Sequence, residues 1–232
     1  MSLWYPPILA YHRVDPQPAS DTPTVSIKAF ERQMEILAAR WRPIPLGDLA
    51  DCLEAGRVIP RRAVAVTFDD GEEGLFTHAF PILERCRIPA LIFLIADNVG
   101  KAGSLSPGQI ARMREGGIQF GSHTVHHAYL PSLPMEQVRR ELAESKRLLE
   151  SRGIPAEFFS YPGGGFTPEI AEAAREAGYR AACTTNRGIR RFPADRWALR
   201  RVAMHANTVS PLGVWIRCCG YYGLNRRLRE PA

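Results

Sequence analysis

No stretch of this sequence approaches the ~20 consecutive apolar residues of a helical membrane span, which argues against a transmembrane helix. The opening residues, MSLWYPPILAYHRV, lack a charged region followed by a long apolar one. No signal peptide is visible, so a cytoplasmic or membrane-peripheral location is the expectation, although a chain with its leader removed would read the same. Cysteine is scarce and irregular. Cys52, Cys86, Cys183, Cys218 and Cys219 form no CxxC pair and no even framework, which argues against disulfide stapling and a cysteine-held zinc. No GxGxxG follows an apolar run, so dinucleotide binding has no support. Low-complexity tracts, long linkers and clear repeats are absent as well. The 30 Lys+Arg against 24 Asp+Glu leave a formal charge of +6. No compact basic-aromatic patch accompanies that surplus, and no nucleic-acid partner is expected. With 232 residues, 45% of them hydrophobic, the chain suits one sizeable core and is short for two. A single domain over 1–232 follows.

What is present is an alternation. Short apolar runs read as buried strands at Pro7–Tyr11, Ala63–Phe68 and Ala90–Ile95, with weaker ones at Ile118–Gly121, Phe158–Tyr161, Arg180–Thr185 and Trp197–Met204. Helical patterns lie between them. Ser26 can cap a helix whose Phe30, Met34 and Leu37 share one face. Met135–Arg152 repeats Val138, Leu142 and Leu149 at helical spacing and stops at Gly153, and Pro168–Ala177 stops at Gly178. About seven strands alternating with helices imply a parallel sheet, as a small barrel or an open doubly wound sheet. Either architecture gathers its chemistry at the C-terminal strand ends.

Three polar clusters fall at such ends: Asp69-Asp70 in VTFDDGEEG, the histidines of GSHTVHH, and YPGGG. Asp-Asp-Gly by itself is ordinary turn chemistry. Beside it, however, His123, His126 and His127 lie within five residues. In a helical turn His123 could share a metal ion with His127 at i+4 or with His126 at i+3, and spacing alone does not choose. Two imidazoles and one carboxylate leave open positions on a metal, which suits catalytic zinc and also non-haem iron. The second aspartate tips the choice toward hydrolysis. One carboxylate binds metal while the other is free as a base, and the metal's charge relieves their repulsion.

These residues resemble the polysaccharide deacetylase family of carbohydrate esterases, which includes chitin and peptidoglycan deacetylases. TFDDG (Thr67–Gly71) looks like the family's first motif and HTVHH (His123–His127) like its second, His-[Ser/Thr]-x-x-His. The resemblance runs from ILAYHRV at Ile8 to about Met204. It implies a distorted (β/α) barrel with about seven parallel strands. It also implies metal-dependent removal of an acyl group, usually acetyl, from the nitrogen or oxygen of a sugar. Carried over by position, Asp70, His123 and His127 hold one divalent metal, zinc first with cobalt or nickel as substitutes. Asp69 is then the base, and Thr124 shapes the turn.

The later motifs depart from the family pattern. Its third motif often carries an arginine that holds the catalytic aspartate, and this chain has Ser160 there, in FFSYPGGGF. The stretch looks like the YPxG variant of a subgroup acting on exported or lipid-linked glycans. In that subgroup a late L-x-R-[IV] segment supplies the arginine, which here is Arg201 in LRRV. Arg200 and Arg201 must face opposite sides of a strand, and only one can point inward. His205 is the candidate acid for the leaving amine. Tyr161 stands where the family offers a backbone N–H to the oxyanion. Pro162 and Gly163 complete the expected substrate loop. His12 and His78 are read as structural, with His12 on the rim. The expected partner is an acetylated oligo- or polysaccharide. Two alternatives remain: a deacylase of a non-sugar amide, and a degenerate glycan-binding protein without catalysis. Finally, 211–232 reads as a peripheral C-terminal helix. Trp215, Ile216, Tyr221 and Tyr222 lie there among Arg217, Arg226, Arg227 and Arg229, a mixture suited to a membrane surface or a partner.

Overall fold

The computed structural model describes residues 6–17, 23–185 and 195–219. Its centre is a closed parallel barrel of seven strands. These are β1 (Ile8–Tyr11), β2 (Ala63–Phe68), β3 (Ala90–Leu94), β4 (Gln119–Ser122), β5 (Phe158–Ser160), β6 (Ala181–Thr184) and β7 (Leu199–Ala203). β2 to β7 pair in chain order, each parallel to the next. β1 closes the ring between β7 and β2, with Ile8 opposite both Arg201 and Ala65. The seven apolar runs read from the sequence are these seven strands, and the open-sheet alternative falls because β1 has two neighbours.

Helices surround the barrel: α1 (Ile27–Arg40), α2 (Leu46–Glu54), α3 (Phe80–Cys86), α4 (Pro107–Glu115), α5 (Met135–Ser151), α6 (Pro168–Glu176) and α7 (Pro211–Cys218), with α2 closing the barrel floor through Leu46, Leu49 and Ala50. The strands are near-continuously apolar because both of their faces are buried. Alternate residues serve different cores. Ile8, Ala65, Leu91, Phe93, Phe158, Ala181, Cys183 and Leu199 meet within one cluster. Leu9, Val66, Phe68, Ile92 and Leu94 face the helix side with Phe30, Met34 and Leu37 of α1. Ser26 caps α1 as expected, its hydroxyl accepting from Ala29 N. α5 and α6 seal β5 and β6 through Val138, Leu142, Ile170 and Ala174 against Phe159 and Ala182.

Following the inward rows of β7, β5 and β2 beyond their apolar residues reaches polar ones. Leu199 leads to Arg201, Phe158 to Ser160, and Ala65 to Thr67 and Asp69. The barrel therefore has an apolar floor and a polar ceiling at the C-terminal strand ends.

Candidate active site

Asp69 and Asp70 leave β2 through a tight turn in which Gly71 N–H donates to Asp69 O at 2.9 Å. Asp70, in the middle, takes φ +70°. That is the strained hand of the γ-turn, and left-handed strain in a non-glycine residue concentrates at functional sites. Gly71 follows with φ +74°, and a Cβ on it would meet the Leu94 side chain at 2.5 Å. The turn sends the two carboxylates to different places, which is why a chain can hold them side by side.

Asp69 points into the barrel and is almost fully buried. Arg201 grips it with two parallel bonds, Nη1 to Oδ1 and Nη2 to Oδ2, both 2.7 Å. The guanidinium also donates to the Ser160 hydroxyl at 2.8 Å and to Thr67 Oγ1 at 3.3 Å, and its centre lies 5.3 Å from the Phe93 ring centroid. Burial alone would raise the Asp69 pKa. The Arg201 charge, followed by His123, outweighs it and holds the carboxyl well below the usual carboxylate range. Arg200 lies on the other face of β7 and is only half-buried.

Asp70 turns toward the histidines. Its Oδ1 is 3.8 Å from His123 Nε2 and 3.5 Å from His127 Nε2. Donor atoms of the three residues all lie within 4.8 Å of one another. Asp70 Oδ1 is buried with no hydrogen-bond partner, a costly state for a carboxylate oxygen. Burial, together with the neighbouring Asp69 charge, pushes Asp70 up to about 6. His123 Nδ1 is 2.7 Å from Ser160 O. A carbonyl only accepts, so Nδ1 carries the proton and Nε2 presents its lone pair. Burial lowers His123 to about 4, keeping it neutral. An orphaned carboxylate oxygen and a tautomer-fixed imidazole in one cluster fit a divalent metal ion.

The histidine segment is not the helical turn that the i, i+4 spacing suggested. Thr124 and His127 have φ of +66° and +59°, so the chain coils back on itself. The Thr124 hydroxyl accepts from Ala128 N at 3.2 Å, the turn-shaping part expected of it. His126 is drawn away: its Nδ1 lies 2.6 Å from Glu141 Oε1 on α5, while Glu141 Oε2 accepts from the amides of Val125 and His126. Glu141 thus anchors the loop and leaves His127 to the cluster.

Three expectations need correction. His205 is exposed on the loop after β7, and the histidine placed at Asp69 is His12, whose Nε2 is 3.8 Å from Oδ2. It ends the inward row Ile8, Ala10, His12, and that alternation was the available signal. Tyr161 does not present a free N–H, because its amide donates to Cys183 O at 3.0 Å in the β5–β6 pairing. Its ring is buried, stacked on Phe166 at 4.7 Å, with its hydroxyl on Trp197 O. Pro162 is buried as well, and only Gly163 of the expected substrate loop is exposed. An open cleft of about 890 Å³ begins at Asp70 and His127 and runs past Arg13, Asp15, Glu72, Glu73 and His78.

A family model described as polysaccharide deacetylase matches residues 57–182. The chain belongs to the polysaccharide deacetylase family. YxkH of Bacillus subtilis, which is named after this family, is 30% identical over 198 residues, 84% of this chain and 70% of that protein. The poly-β-1,6-N-acetyl-D-glucosamine N-deacetylase of Staphylococcus epidermidis is 32% identical over 108 residues, 44% of this chain and 37% of that longer relative. Among solved structures, IcaB from Ammonifex degensii superposes with a TM-score of 0.78 at 29% identity, covering 91% of this chain and 96% of IcaB. The deacetylase PplD of Streptococcus pyogenes, solved with acetate, gives a TM-score of 0.84 at 24% identity over 92% of this chain and 99% of PplD. These superpositions and the closed ring make the barrel the fold of a polysaccharide deacetylase.

Proposed function

We propose that this deacetylase is a metal-dependent hydrolase that removes acetyl from the nitrogen of N-acetylglucosamine units in a glycan. The observation that carries the reading is the division of labour between adjacent carboxylates. Asp69 is locked by Arg201, while Asp70 opens onto His123 and His127. The relatives named as poly-β-1,6-N-acetyl-D-glucosamine N-deacetylases support the substrate class.

Asp70, His123 and His127 would hold the metal. Such an ion, when bound, polarises a carbonyl and makes water acidic enough to react near neutral pH. Asp69 takes the proton of the attacking water. Its ionised state and fixed orientation come from Arg201. Water adds to the acetyl carbonyl, the C–N bond breaks, acetate leaves, and the amine must gain a proton. His12, whose Nε2 is 3.8 Å from Asp69 Oδ2, is the residue to which this reading gives that task. An unheld Asp69, with Ser160 where the family pattern has an arginine, would favour the non-catalytic alternative. Arg201 fills that place.

The test is acetate release from β-1,6-linked N-acetylglucosamine oligomers, chitooligosaccharides, peptidoglycan fragments and a ring amide. Chelation is expected to stop release and added zinc or cobalt to restore it. Elemental analysis is expected to find about one metal ion per chain in the unaltered protein, and little in Asp70→Ala. Equal metal in both would remove the ligand assignment. Release from the ring amide alone would replace the sugar substrate.

A membrane-peripheral position is the second part of the reading. α7 packs Val214 and Cys218 inward and leaves Leu212, Trp215 and Ile216 exposed on its other side, next to exposed Val209. Tyr221, Tyr222, Arg226, Arg227 and Arg229 lie outside the described residues. No helix among the described residues is long and apolar enough to cross a membrane, so contact would be from the surface. Sedimentation with phosphatidylglycerol vesicles at low salt is expected, and Trp215→Ser with Ile216→Ser should abolish it. Absence of binding by the unaltered protein removes this part.

A further inference from the structure

Tyr129 is an exposed aromatic side chain in the loop that carries His123 and His127. The other described tyrosines, Tyr11, Tyr161 and Tyr179, are buried, whereas Tyr129 is 53% exposed. It follows His127 by two residues and begins the turn into the 3-10 segment Leu130–Ser132. Its ring lies against the glycine loop that ends β5. A Cβ on Gly163 would come to 3.3 Å of it, and one on Gly165 to 2.5 Å. Any side chain at 165 would therefore displace the ring. The loop is itself held from below, where Thr184 Oγ1 donates to Gly164 O and Tyr161 stacks on Phe166. One side of Tyr129 is thus fixed on a supported strip of backbone, and the other meets solvent.

We propose that Tyr129 is a sugar-binding platform: its ring takes the C–H face of a pyranose in the glycan, adjoining the unit whose acetamide is cleaved. The proposal rests on the glycan reading above. A β-linked glucosamine ring carries its substituents equatorially, so both of its faces are lined with C–H bonds. An aromatic face covers such a surface well, and a phenol adds a polar tip for a neighbouring hydroxyl. An immobilised ring loses little entropy on binding. The flanks of the site differ accordingly. On the β2–β3 side, the cleft from Asp70 and His127 is lined by charged and polar groups. On the β4–β5 side stands Tyr129. A chain of sugars crossing the metal cluster meets charge on one flank and an aromatic face on the other. Trp215, also exposed, sits on α7, which follows β7.

The experiment compares Tyr129→Leu, Tyr129→Phe and Tyr129→Trp on a β-1,6-linked N-acetylglucosamine hexamer. Leucine keeps bulk against Gly163 and Gly165 but has no aromatic face. Tyr129→Leu is expected to raise KM roughly tenfold, the loss of one good aromatic contact, with kcat within about twofold. Phenylalanine and tryptophan should restore most of the affinity. Binding of the same hexamer to the turnover-deficient Asp69→Asn, measured by calorimetry with and without Tyr129→Leu, is expected to weaken in parallel. Normal turnover with no change in KM overturns the platform and leaves the deacetylase reading standing. A fall in kcat at constant KM, unrepaired by phenylalanine, also overturns it, because the ring would then only prop the glycine loop. Tyr129-dependent binding without acetate release supports the platform and counts against the deacetylase reading.

Discussion

Asp69→Asn is expected to retain its metal and to lose ~10²–10⁴ in turnover, the span attributed to a positioned acid or base. Asparagine has nearly the shape of aspartate, so the turn through Asp70 and Gly71 should persist and the three donor atoms should stay together. What disappears is a proton acceptor. Asp69 is suited to that task by two opposed influences: burial, which removes competing water, and the Arg201 charge, which keeps the carboxylate ionised in spite of burial. The amide also meets Arg201 with one oxygen and one NH₂ where two oxygens had stood, so one of the two 2.7 Å bonds must be lost. Turnover on an N-acetylglucosamine oligomer, measured beside metal content, checks this. Activity within a few-fold of the unaltered protein would place the base elsewhere.

The second large effect is expected at Arg201, in two forms. Arg201→Ala leaves Asp69 as a buried carboxylate without its partner. Removing one member of such a pair typically costs about 3–5 kcal/mol, and a clear drop in melting temperature should follow. Arg201→Lys is the sharper test. Lysine keeps the charge but cannot make two parallel bonds to one carboxylate, nor reach Ser160 and Thr67 with the same planar group. Turnover should fall at nearly constant metal content, because neither His123 nor His127 bonds to the guanidinium. Arg200→Lys, on the opposite face of β7, should do little. Melting curves, turnover and metal content of the three variants separate the roles. Equal activity for Arg201→Lys and the unaltered protein would mean that charge alone holds Asp69.

Much of this was legible in the sequence because it is governed by local pattern. All seven barrel strands appear as apolar runs, and the ends of β2, β4 and β5 carry the polar clusters. Arg201 was separable from Arg200 by strand alternation together with the L-x-R-[IV] pattern. The misses have different causes. α2 and α3 start without a side-chain cap hydrogen bond, and α3 follows the π-helical turn Leu75–Ala79, so the usual start signals are weak there. α4 does carry one, the capping box of Ser106 and Gln109. The turn at His123–His127 depends on Glu141, fourteen residues beyond His127, and no spacing rule contains that contact. His12 reaches Asp69 because β1 closes the barrel between β7 and β2. Sequence separation hides that neighbourhood.

Ser160 reaches both halves of the site at once. Its hydroxyl accepts from Arg201, and its carbonyl accepts from His123. The grip on Asp69 and the orientation of His123 are therefore both set from a single residue at the tip of β5. This arrangement makes the source of the arginine an exclusive choice. A guanidinium delivered from position 160 would have to enter the space that Arg201 already fills, bringing a second positive charge to one carboxylate. Holding Asp69 from β5 and holding it from β7 are therefore alternatives, and one barrel has room for only one of them.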